Sequence, residues 1–111
     1  MTLDIRLREE ITQLHAQVCS GLADTNRIPI LYSLSKQSLN VSELSETLGI
    51  TQPTTSRHLK VLRERGLVSA ERNAQSIYYS LADPRIIQAL ELLRAVLNER
   101  LEAQAQLVRS T

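Results

Sequence analysis

A mainly α fold of five helices and one two-stranded β-hairpin is what the sequence predicts, on three observations. Apolar residues recur at helical spacing through most of the chain, the tripeptide Gly49-Ile50-Thr51 separates two short helical segments, and one pair of alternating β-prone runs follows Gly66. Two short helices joined by a tight turn and followed by a hairpin make a winged helix-turn-helix. The 111 residues fit a single domain, 1–111, because no repeat, low-complexity tract or Pro/Gly-rich linker divides them.

Each element has its own signal. Leu3, Leu7, Ile11, Leu14 and Val18 fall on one helical stripe, which predicts a first helix over 3–18. Ile28, Leu31 and Leu34 carry a second, over roughly 25–35, with Pro29 tolerable only near its first turn. Asn40 with Glu43 three residues on is an N-cap pair; Val41, Leu44 and Leu48 form the apolar face of a short third helix that Gly49 ends. Thr51 caps a fourth helix with Pro53 in its first turn, running to about Arg65 before the Gly66 stop. Val68 to Arg72 and Ser76 to Leu81 then read as strands, with Asn73-Ala74-Gln75 as the hairpin tip. Asp83-Pro84 starts a long last helix whose apolar stripe is Ile86, Leu90, Leu93, Leu97 and Leu101, widened by Ile87, Leu92 and Val96.

Composition narrows the class. Hydrophobic residues make up 42% of the chain, but with three Tyr and no Trp or Phe the core must be aliphatic. The opening MTLDIRLREE interleaves charges with apolar residues, so neither a signal peptide nor a membrane span is expected, and the protein should stay in the cytoplasm. One Cys gives no internal disulfide, and no CxxC or Cys/His cluster suggests structural zinc. The net charge of +1 is unevenly spread: Arg57, Lys60, Arg63, Arg65 and Arg72 stand against Glu64 and Glu71. That local excess suits a polyanion.

The basic segment is the stretch Thr51 to Val68, TQPTTSRHLKVLRERGLV. On a helical wheel Thr55, His58, Leu59 and Leu62 share one face, while Pro53, Ser56, Arg57 and Lys60 lie on or beside the other. A hydroxyl, a guanidinium and an ammonium pointing outward, with Gln52 and Thr54 at the amino end, match what reads base edges in a DNA major groove. The candidate DNA contacts are Gln52, Thr54, Thr55, Ser56, Arg57, Lys60, Arg63, Arg72 and Gln75, with Lys60, Arg63 and Arg72 assigned to phosphate. His58 belongs to the inner face, as a hydrogen-bonded core histidine.

With LADTNRIPIL, VSELSETLGI, TQPTTSRHLKVLRERGLV and SIYYSL in this order, residues 15–101 resemble the ArsR/SmtB family of winged helix-turn-helix repressors. The resemblance implies a homodimer joined through the first and last helices, operator binding by the fourth helix, and release of double-stranded DNA when an inducer binds. The stripes call for a partner on their own account: Leu3, Leu7, Ile11, Leu14, Ile86, Leu90, Leu93, Leu97 and Leu101 are the candidate dimer contacts. The chain departs from the family in its neutral hairpin tip, which lacks Gly and Arg, and in Pro53, where a small hydroxyl residue is common.

The family's metal sites do not carry over. The positions of its Cys-x-Cys pair hold Asn40, Val41 and Ser42; those of its Asp, His, His and Glu zinc ligands hold Asp83, Arg85, Val96 and Glu99. No metal or cofactor is therefore expected, and the inducer is not specified. His15 and Cys19 lie four apart on one side of the first helix, where two chains could hold a metal between them, although ordinary packing is the preferred account; Cys19 is the one candidate for a redox switch. The leading class is a dimeric DNA-binding repressor. A winged helix serving protein interaction is the alternative, and an enzyme is not expected, since no phosphate loop, HExxH or Ser-His-acid arrangement occurs.

Overall fold

The computed structural model describes residues 2–110, and among them are five helices and one hairpin. Helix α1 comprises an α-helical Ile5–Gln13, a π-helical turn Leu14–Cys19 and a final turn Ser20–Leu22. Then come α2 (Arg27–Leu34), α3 (Val41–Leu48), α4 (Gln52–Glu64), β1 (Val68–Asn73), β2 (Ser76–Leu81) and α5 (Arg85–Ser110). The order is the one the sequence predicts.

Local chemistry explains the boundaries. Asn40 and Glu43 form a reciprocal capping box, the Glu43 amide donating to Asn40 Oδ1 at 2.8 Å and the Asn40 amide to Glu43 Oε1 at 3.0 Å. Gly49, at φ 68°, supplies the left-handed residue that ends α3. Thr51 accepts the Thr54 amide at 3.3 Å to start α4, and Pro53 sits where its missing N–H is not needed. Strands β1 and β2 are antiparallel, from Val68 opposite Leu81 to Asn73 opposite Ser76. The paired Asn73 shortens the expected tip to Ala74-Gln75, with Ala74 at φ 58°, an αL position in a tight two-residue turn. Leu39 and Tyr79 exchange backbone hydrogen bonds at 3.1 and 2.8 Å, which ties the wing to the loop before α3.

The core is aliphatic, as the composition requires: Ile30, Leu31, Leu34, Leu39, Leu44, Leu59, Leu62, Leu67, Val68 and Leu90. It draws on α2, α3, α4, the wing and one turn of α5. The polypeptide lays this core under α4, so the helix-turn-helix is held rigidly from behind.

Three expectations about the outer helices need correction. The first helix does not end at 18 but runs to Leu22, because Gly21 is a buried point of close approach rather than a stop. Leu3 lies ahead of the helix, which Asp4 caps. Leu90, a predicted dimer contact, is only 8% exposed and packs into the core of its own chain, and Ile86 is half-buried against that core. A 3–4 spacing identifies an apolar stripe without saying which chain covers it. The rest of the stripe is uncovered: Leu7, Ile11, Leu14, Leu93, Leu97 and Leu101 are each 43–65% exposed. Helix α5 also extends past Leu101 to Ser110. No helix among the described residues is long and apolar enough to cross a membrane.

Candidate nucleic-acid interface

Helix α4 has the two faces that the wheel predicts. Thr55, Leu59 and Leu62 are buried, and Gln52, Pro53, Ser56, Arg57, Lys60 and Arg63 are exposed. Thr55 is the exception among the proposed DNA contacts. It is fully buried and its hydroxyl donates to the Thr51 carbonyl at 2.9 Å, so it has neither access nor a spare proton for a base. Its hydroxyl serves the helix, not a ligand.

At the amino end of α4 the polar groups are organised. The Thr51 hydroxyl donates to Thr54 Oγ1 at 2.9 Å, and Arg57 Nη2 donates to the same oxygen at 3.1 Å. With both lone pairs of Thr54 engaged, its own proton is directed elsewhere. Arg57 is thereby held along the exposed edge of the helix instead of sampling all its rotamers, which lowers the ordering cost of a contact.

Between α4 and the wing runs an open cleft lined by Ser56, Leu59, Lys60, Arg63, Glu64 and Tyr79. Lys60 and Arg63 stand on its helical wall. Arg72 and Gln75 are exposed on the wing, where Arg72 shares a second groove with Ser38, Glu71, Asn73 and Tyr78. The structure thus gathers Ser56, Lys60 and Arg63 along one cleft, and leaves Arg72 and Gln75 apart at the wing.

Behind α4 the contacts are internal. His58 Nδ1 accepts from Arg27 Nε at 3.3 Å, and His58 Nε2 lies 3.7 Å from Asp24 Oδ1. The sequence places His58 on the inner face, and these two partners on the loop before α2 and its first residue are what it meets there. The Asn26 backbone amide, with smaller help from His58 and Arg27, holds the Asp24 carboxyl below its usual range against the opposing effect of burial.

Sequence reasoning did not single out Arg27, Arg65 or Tyr79. For Tyr79 the alternation of β2 was available as a signal. Arg65 counts toward the basic excess of this segment, but no signal points it toward the first helix, since an arginine at a helix end reads as a solvated charge.

Three of the residues at the family's metal positions, Asn40, Asp83 and Arg85, are engaged otherwise. Asn40 is in the capping box. Asp83 accepts the Arg85 amide at 2.8 Å and pairs with its guanidinium at 2.7 Å, which together hold the carboxyl at about 2. Among the described residues no group of three or more His, Cys, Asp or Glu side chains is placed to hold a metal ion. Cys19 is exposed, in the π-helical turn of α1, as is His15.

Comparison with known proteins gives consistent matches. The family described as bacterial regulatory protein, arsR family, matches residues 24–70, from the loop before α2 into β1. The nodulation protein NolR of Rhizobium meliloti is 33% identical over 96 residues, covering 86% of this chain and 79% of that one. The HTH-type transcriptional regulator NmtR of Mycobacterium tuberculosis is 41% identical over 83 residues, 72% of this chain and 69% of its own. Among solved structures, the homodimeric winged helix-turn-helix DNA-binding domain of Mb0332 from Mycobacterium bovis, a possible ArsR-family regulator, superposes with a TM-score of 0.79 at 29% identity. The match covers 91% of this chain and 93% of that domain.

Proposed function

The chain belongs to the ArsR family of bacterial regulatory proteins and is a DNA-binding transcriptional regulator, and on that premise we propose that it is a homodimeric repressor of an inverted-repeat operator. The observation that carries the reading is the division of α4, whose buried Thr55, Leu59 and Leu62 fix a face bearing Gln52, Ser56, Arg57 and Lys60 toward solvent. Arg57, Ser56 and Gln52 have the donors and acceptors to read base edges, with Thr54 holding Arg57. Lys60, Arg63 and Arg72 supply phosphate contacts, and Gln75 adds a wing contact.

The uncovered stripe supports the dimer. Leu7, Ile11 and Leu14 on α1 and Leu93, Leu97 and Leu101 on α5 are about half exposed. At about 1.5–3 kcal/mol for each fully buried side chain, covering them is worth on the order of 5 kcal/mol per chain. A second copy presents the same stripes by twofold symmetry, and that symmetry sets two copies of α4 against two half-sites. Cys19, exposed on α1, is the candidate through which a signal would release the operator.

Footprinting on the DNA upstream of the protein's own gene, together with sedimentation, tests the proposal. Two chains on a symmetric footprint are expected. A monomer that binds as tightly as any dimer, or protection without twofold symmetry, would refute it.

A further inference from the structure

Two arginines near α4 face into the protein. Arg65, the residue that ends α4, reaches across to α1, where its Nη1 donates to the Ala16 carbonyl and to the Ser20 hydroxyl. The π-helical turn frees the first of these acceptors. The Ser20 amide pairs with the His15 carbonyl, one residue back from its regular α-helical partner Ala16. The Ala16 carbonyl accepts instead from the Ser20 hydroxyl and from Arg65.

Gly21 makes the approach possible. A Cβ there would lie 3.3 Å from Arg65 Cγ and 3.3 Å from Leu67 Cδ1, closer than ordinary contact. Its carbonyl accepts from Arg27 Nη1 at 3.3 Å, and Arg27 in turn donates to His58 in the middle of α4. The last turns of α1 are therefore bound to α4 at two places, its carboxyl end and its middle.

We infer that Arg65 is a positioning residue that sets the angle between α1 and α4, and through it the distance between the two DNA-reading helices of the dimer. The inference rests on the proposed twofold reading, in which α1 carries the dimer contact. Arg65 then acts on DNA without touching it: if the dimer fixes α1, whatever fixes α4 to α1 fixes the half-site spacing. Side chains that hold one defined geometry lower the affinity for every other spacing.

The experiment uses the full chain and a series of operators in which two copies of the footprinted half-site are moved apart one base pair at a time. Wild type should show one sharp optimum. Arg65→Gln should keep its position but lose discrimination against the neighbouring spacings by about fivefold or more, with the salt dependence of binding unchanged. Arg65→Lys, which keeps a cationic N–H donor without the rigid planar fork, should recover part of the sharpness. Ser20→Ala, at an exposed helical position, carries the same expectation in weaker form and serves if Arg65→Gln does not fold. An optimum retained at full sharpness in both variants would overturn the inference. So would a salt slope reduced by about one unit for each Arg65 removed, since Arg65 would then be binding phosphate. A wild type indifferent to spacing would overturn the twofold reading itself, and this inference with it.

Discussion

Arg57 Nη2 donates to Thr54 Oγ1 at 3.1 Å, so the guanidinium best placed on α4 for a base is aligned by its neighbour one turn back. Replacing Arg57 by Ala should cost about 1–3 kcal/mol, concentrated at one base pair if the contact is bidentate to guanine. Thr54→Val removes the hydroxyl that aligns it and should weaken the same base preference by a smaller amount. Binding to operators varied one base at a time is the check. Equal losses across all sequences would move Arg57 to the phosphate backbone.

Lys60 and Arg63 on the cleft wall, and Arg72 on the wing, are exposed, and among the described residues no carboxylate forms an ion pair with them that would neutralise their charge. Each neutralised phosphate releases condensed counterions, so each substitution to Gln should flatten the plot of log affinity against log salt by about one unit for every phosphate no longer neutralised. Glu64 stands in the same cleft as Lys60 and Arg63. Glu64→Gln should therefore raise affinity at low salt. An unchanged slope in any of the three basic variants would remove that residue from the phosphate set.

How much of this was legible depended on whether the signal was local. The starts and stops of α3 and α4 and the start of α5 were readable because Asn40 with Glu43, Gly49, Thr51 with Pro53, Gly66 and Asp83-Pro84 each act on backbone groups within a few residues. Tertiary choices were not. The wheel puts Thr55 inward, but its hydroxyl makes it look like a reading residue, and only the fold shows the Thr51 carbonyl holding it. Leu90 sits on the same stripe as Leu93 and Leu97, and only the arrangement of α2 and the wing decides that it alone is buried. Gly21 reads as a helix stop, whereas its missing side chain is what lets Arg65 pass; the π-helical turn beside it has no signature in sequence.

Thr55 gives the sharpest contrast between a DNA-reading role and a structural one. Thr55→Val keeps the buried shape and removes the hydroxyl, and the Thr51 carbonyl still accepts the Thr55 amide at 3.0 Å. No acceptor is left unpaired, so the stability cost should be about 1 kcal/mol or less and operator affinity should stay within about twofold. A tenfold loss with base preference altered would return Thr55 to the DNA-contacting surface.

Asp83 makes the fold's clearest pH prediction. Its carboxyl is held at about 2, first by the Arg85 guanidinium and then by the Arg85 amide, below the value of about 3.9 for an unfolded chain. The folded state therefore favours the carboxylate, and the stabilisation is fully present above pH of about 4 and is lost as pH falls through about 2. Asp83→Asn retains a capping oxygen without the charge. The difference in Tm between the two proteins should be largest above pH of about 4 and close to nothing near pH of about 2; a constant difference would assign the effect to cap geometry.

The same ion pair bears on what the protein senses. Zinc, cadmium and nickel should leave operator affinity unchanged through the positions where the family binds them. Asn40 spends its side chain on the α3 cap, Ser42 offers no thiolate, and Val96 has no donor atom. Asp83 is already paired with Arg85 at 2.7 Å, and that guanidinium repels an approaching cation, so Glu99 is left without companions from this set. The chemistry that remains is at Cys19, exposed on the helix that Arg65 clamps. Peroxide would oxidise its thiol to a sulfenic acid, itself reduced to water, and that sulfenic acid would form a disulfide with the thiol of a second chain, losing its oxygen as water. Operator affinity measured with micromolar metal, with peroxide, and in Cys19→Ser separates the cases. Peroxide-driven release that disappears in Cys19→Ser would establish the thiol as the switch, and peroxide without effect would exclude it. Metal-driven release that survives loss of both Cys19 and His15 would mean that the ligands lie elsewhere, formed by side chains that only the dimer brings together.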